Sequence, residues 1–217
     1  MASGGGLSSA AGGVSCGVVK GKIGLAVMLG VFALSRIPGL LPHNFSAAYA
    51  LAFCAGVYFP GRLAWGLPLG VLLGTDVLLN VFYYHTAALD PFMLATYPCY
   101  AALIWLGRRF TPRASWLALV GGGLLGAILF YLVTNTLSWL QNPAYARTLL
   151  GWLQSLTAGQ PGFPATWEFF RNTLLSGGLF TGLFAAAMKL TAPAESPQEK
   201  GETAEEGEPE APEEAKA

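Results

Sequence analysis

The sequence predicts an all-α membrane protein, a six-helix transmembrane bundle, and three observations carry that expectation. Apolar residues make up 53% of the 217-residue chain and charged residues only 11%, about half the usual share for a soluble domain. Nine of the twelve acids lie between Glu195 and Glu214, so the formal charge of zero conceals a basic, apolar body joined to an acidic tail. Six apolar stretches fill that body, punctuated by Pro, Gly and Arg.

Three parts follow. Residues 1–17 are Gly/Ser/Ala-rich and expected to be disordered. Residues 18–191 form the six-helix domain. Residues 192–217, rich in Glu, Pro and Ala, cannot bury a core and are expected to be disordered as well.

Val18 to Ser35 is the first apolar helix, with Lys20 and Lys22 near its start and Arg36 closing its end. Pro38 and Pro42 then favour an extended connection. Phe45 to Phe59 is a second, short helix, stopped at Pro60-Gly61, with Ala48, Ala52 and Gly56 in one row. Leu63 to Tyr84 is the third, about 33 Å long and able to cross a bilayer. It carries Asp76, with Asn80 and Tyr84 following at four-residue spacing on the same face. Gly66, Gly70 and Gly74 form a second row, spaced for the close approach of another backbone.

Phe92 to Leu106 is a fourth helix, again short, with Pro98 inside it. Trp116 to Leu140 is the fifth, with Gly122 and Gly126 spaced for close packing and Asn135 and Trp139 one turn apart. Tyr145 to Leu156 reads as a short amphipathic helix lying at the membrane surface. Phe169 to Leu190 is the sixth span, beginning at Arg171-Asn172 and carrying Gly178, Gly182 and Ala186 in a row.

Basic residues near the helix ends set the orientation. With six spans, seven of them (Lys20, Lys22, Arg62, Arg108, Arg109, Arg113, Lys189) fall on one side and three (Arg36, Arg147, Arg171) on the other. Both termini are then cytoplasmic. A four-span alternative, with helices 2 and 4 re-entrant, moves only Arg62 among these charges.

The six-span topology gathers Arg36, His43, Asn44, Asp76, Asn80, Tyr84, Asn135, Trp139, Arg171 and Asn172 in the outer half of the bundle. An acid in hydrocarbon is costly without a partner or water, so the expectation is a polar cavity open to the outside, with Asp76 and Arg171 as counter-charges. Each residue also has a plainer role: ion-pair partner, interhelical hydrogen bond, headgroup contact or aromatic belt. The shared location is what points to a binding site for a small water-soluble molecule.

Three stretches carry a resemblance: residues 35–60 (SRIPGLLPHNFSAAYALAFCAGVYFP), 133–140 (VTNTLSWL) and 169–184 (FFRNTLLSGGLFTGLF). They resemble a group of small bacterial membrane proteins of unassigned function, whose motifs match Pro42 to Ser46, Thr134-Asn135 and Phe170 to Thr173. That group in turn resembles the substrate-binding S components of energy-coupling factor vitamin transporters in size, helix number and layout. The resemblance implies an S-component-like bundle in the cytoplasmic membrane that captures a nutrient and associates with a membrane scaffold subunit and two cytoplasmic ATPases. Small residues on the first helix would dock on the scaffold; here Ala26 and Gly30 match.

The leading expectation is therefore a substrate-capture subunit without chemistry or cofactor of its own. The alternatives are a non-transporting interaction protein, held to its partners by the glycine rows and the tail, and a stand-alone proton-coupled transporter using Asp76. No Gly-x-Ser-x-Gly, no His-Glu-x-x-His and no pair of intramembrane acids points to an enzyme. Cys16, Cys54 and Cys99 have no metal spacing, and the dispersed basic residues do not form a nucleic-acid surface.

Overall fold

Helix α2 (Ala48–Tyr58) is the hub of the fold: every residue from Ala48 to Val57 is buried. A helix that is apolar all round must be enclosed by other helices, and this one is. The computed structural model describes residues 10–191, with side chains from Ile23 onward. Among the described residues there are seven α-helices and no strand: α1 (Ala10–Ser35), α2, α3 (Leu63–Phe82), α4 (Met93–Gly107), α5 (Trp116–Gln141), α6 (Leu149–Leu156) and α7 (Thr166–Thr191). The chain is thus all-helical, as its composition predicts.

Around α2 the other long helices form a broken ring, in the order α1, α7, α5, α4, α3. The ring is open between α1 and α3, which both pack on α2 but not on each other. Glycines set how closely its members approach. A methyl group at Gly56 of α2 would collide with the Ile104 carbonyl of α4, and one at Gly107 would collide with the Phe53 carbonyl. Gly122 accommodates the rings of Phe53 and Phe110, and Gly126 accommodates Leu103, as their four-residue spacing anticipates. On α7, the Trp116 indole covers Gly182 and donates to its carbonyl at 3.1 Å.

Three helices, α3, α5 and α7, are long and apolar enough to cross a membrane. Large apolar side chains such as Leu94, Leu117, Leu179 and Leu190 stand exposed on the exterior, where lipid rather than water suits them. With 11 residues, α2 reaches only about 16 Å, and α4 is also shorter than a full span. Among the described residues, α6 is the one short helix outside the ring. Its N-cap is Thr148, whose hydroxyl accepts from Gly151 N–H at 3.1 Å, and its Leu149 and Leu150 are exposed.

Several boundaries differ from the sequence reading. Helix α1 already covers Ala10 to Gly17, inside the stretch expected to be disordered. Helix α2 starts at Ala48 instead of Phe45, since Phe45 N–H is taken by the Pro42 carbonyl at 3.0 Å and Asn44 adopts a φ of 60°. Helix α6 starts at Leu149, not Tyr145, and α7 starts earlier, at Thr166. The expected disorder of residues 1–9 and of the acidic tail lies outside the described residues.

Both small-residue sets expected to make partner or packing contacts, the α3 glycine row and the Ala26–Gly30 pair of α1, face away from the core. On α3 the buried positions are Ala64, Pro68 and Leu72. Gly66, Gly70 and Gly74 lie about half a turn away, with nothing near enough to touch an added Cβ. The close in-chain packing expected of that row is therefore absent. On α1, Met28 and Phe32 are buried whereas Ala26 and Gly30 are exposed.

Candidate functional site

At one end of the broken ring the chain leaves a cavity of about 890 Å³, within the range that holds a small-molecule ligand. The end of α1, the 37–46 connection, the start of α2, the end of α3, the start of α4 and the second half of α5 all contribute. That sharing requires α1 to α5 to alternate in direction. Helix α7 continues the alternation. Asn172 near its start donates to the His43 carbonyl at 2.9 Å, and Lys189 near its end donates to the Ala114 carbonyl at 2.7 Å beside the start of α5.

The sequence-predicted residues Arg36, Asn44, Asp76, Asn80, Tyr84 and Asn135 all line this cavity, as does His43. Arg36 and Asp76 form an ion pair, with side chains 22% and 19% exposed. Tyr97 of α4 donates its hydroxyl proton to the second oxygen of Asp76 at 2.9 Å. The carboxylate thus joins the end of α1 to α3 and α4, across the gap in the ring. Asn135 gives one amide N–H to the Tyr131 carbonyl at 2.9 Å, leaving its oxygen and its second N–H for a ligand. Asn80 donates to the Ala88 carbonyl at 3.3 Å and thereby steadies the turn after α3.

Three predicted residues lie off the cavity lining. Arg171 is not the counter-charge of Asp76: it sits 5.3 Å over the Trp167 ring, at the start of α7, and Arg36 takes the pairing role. Asn172 is buried and holds the 42–46 turn through His43. Trp139 donates to the Ala146 carbonyl at 2.8 Å. The lining face of α5 is centred on Phe130, Thr134 and Ser138, so Asn135 is at its edge and Trp139 is rotated past it.

Sequence reasoning missed the aromatic floor. Tyr49 of α2, Tyr100 of α4 and Phe130 of α5 line the cavity and contact one another, with ring centroids 4.8 Å apart for Tyr49–Phe130 and 5.1 Å for Tyr100–Phe130. Tyr83, Tyr84 and Phe92 form an exposed rim. The usable signal was a tyrosine on each of two short apolar helices, where a phenol needs a polar outlet. Among the described residues no group of three or more His, Cys, Asp or Glu gathers to hold a metal.

Over residues 20–199 the chain matches the family described as "Family of unknown function (DUF6580)". The chain belongs to DUF6580. The matched range holds every residue that lines the cavity of this DUF6580 protein, together with all of α2 to α7. No curated protein and no solved structure matches it.

Proposed function

We propose that this DUF6580 protein is a membrane-embedded capture subunit that holds a small water-soluble molecule in the 890 Å³ cavity and does no chemistry on it. The single observation that carries the reading is convergence. Polar and aromatic side chains from five helices and one connection line a single cavity in an otherwise apolar bundle. Six helices of alternating direction support a multi-pass arrangement, and the bias of basic residues supports cytoplasmic termini with the cavity opening outward. The resemblance to S components expected from size, helix number and layout in the sequence extends the proposal to uptake in a bacterial cytoplasmic membrane, driven by a scaffold subunit and two ATPases. Native mass spectrometry of the purified protein tests it: a bound small molecule is expected, lost in Asp76→Ala and Asn135→Ala. Folded variants and wild type that all carry nothing would refute capture.

A second reading is favoured by one observation, the outward row of Gly66, Gly70 and Gly74 with open space above it. In that reading the protein is a non-transporting partner of another membrane helix. Cross-linking from cysteines placed at these positions separates the two: recovery of ATPase-linked subunits supports uptake, and recovery of an unrelated membrane protein supports the alternative.

A further inference from the structure

The cavity has a definite electrostatic character. Among the described residues, the acidic or basic side chains on its lining are Arg36, Asp76 and His43; Arg36 and Asp76 are already paired with each other, and the His43 ring packs edge-on against Phe169. Tyr97 occupies the second carboxylate oxygen. Arg36 keeps N–H groups beyond the one on Asp76, its Nε without any acceptor. An anionic ligand on Arg36, or a cationic one on Asp76, would still add a net charge to a cluster that is balanced without it, in a site walled by Phe45, Phe130 and Leu79, where an uncompensated charge is penalised. A neutral ligand leaves the pair intact.

The remaining surface is well suited to such a ligand. Three asparagines (Asn44, Asn80 and Asn135) each offer both a donor and an acceptor, and Ser46, Thr96 and Ser138 add hydroxyls. The floor of Tyr49, Tyr100 and Phe130 presents ring surface, and the rim of Tyr83, Tyr84 and Phe92 presents more. Flat ring systems gain from such contacts beyond their buried area.

Resting on the capture reading, we propose that the cavity selects molecules that are uncharged at neutral pH and carry a planar, hydrogen-bonding ring, with the Arg36–Asp76–Tyr97 cluster acting as a charge-neutral wall. The class includes uncharged nitrogen heterocycles and their nucleosides, and it excludes carboxylates, phosphates and quaternary amines.

The test uses the full-length wild-type protein in nanodiscs. Any molecule released by denaturation is analysed by ion-exchange chromatography and by mass spectrometry with ultraviolet detection. In parallel, ligand-depleted protein is titrated with matched pairs: nicotinamide and nicotinate, uracil and orotate, adenosine and adenosine monophosphate. The expected result is a released compound that absorbs in the ultraviolet and passes both exchangers. In any pair that binds, the neutral member should bind at least tenfold more tightly. A retained charged compound, or a charged probe that binds as well as its neutral twin, overturns the class and leaves capture standing. A protein that releases nothing and binds no probe overturns both.

Discussion

Arg36, just past the end of α1, is ion-paired with Asp76 of α3, and these two helices do not otherwise pack on each other. The pair, steadied by Tyr97, closes the ring at the end where the cavity lies. Removing only one charge leaves the other partly buried and alone, whereas replacing both by apolar groups of similar size removes the problem. Asp76→Leu is therefore expected to destabilise by about 2–3 kcal/mol, near the low end for a buried pair because both side chains keep some exposure. Arg36→Met/Asp76→Leu should recover most of that loss. Thermal unfolding in detergent measures both, and equal stability of the single and double variants would contradict the pairing argument.

Tyr97→Phe keeps the ring and deletes one hydrogen bond to a carboxylate. A loss of about 1.5 kcal/mol is expected, since bonds to charged groups exceed neutral ones. In Asp76→Leu the hydroxyl has no carboxylate to serve, so the same change there should cost much less. A double-mutant cycle from denaturation midpoints reads this coupling, and additive effects would show that the bond contributes nothing.

Glycines with different surroundings should respond differently to alanine. Gly56→Ala drives a methyl group into the Ile104 carbonyl, where backbone must move, and should cost about 2 kcal/mol or more. Gly70→Ala meets nothing within the chain and should be neutral or slightly stabilising in the isolated protein. The fraction of monodisperse protein after heating compares the two. A harmless Gly56→Ala would mean that α2 and α4 do not pack as described.

Ligand retention should follow the cavity wall and not the wider group of polar residues. Asn135→Ala should lose the bound molecule, while Trp139→Phe and Arg171→Gln should retain it, because both side chains are engaged outside the cavity. Mass spectrometry of each purified variant decides this. Loss in Arg171→Gln with Asn135→Ala unaffected would shift the site to the start of α7.

Much of the architecture was legible because apolar runs and their Pro, Gly and Arg punctuation are local signals. The helices from Leu63 and Trp116 begin where the sequence placed them. So was part of the cavity: six of its lining residues follow from polar or aromatic groups set within or beside apolar helices. The partner of Asp76 was not legible. Arg36 and Arg171 stand at the same end of the bundle, and choosing between them requires the rotation of α7, which leaves Arg171 off the cavity and over Trp167, one turn back on its own helix. Helix rotation likewise separated Asn135 from Trp139.

The aromatic floor escaped because Tyr49, Tyr100 and Phe130 are unremarkable within their own helices. They become one surface only when α2, α4 and α5 meet.

By itself the sequence determined an apolar helical chain suited to lipid, with scarce polar groups whose burial demands partners. It did so because hydrophobicity and helix period belong to each residue and its near neighbours. The tertiary structure alone decided that α2 is enclosed, that α1 and α3 meet only through Arg36 and Asp76, and which faces turn toward the cavity. Those outcomes depend on how helices are rotated and how closely glycines let them approach, quantities that arise only between segments distant in the chain.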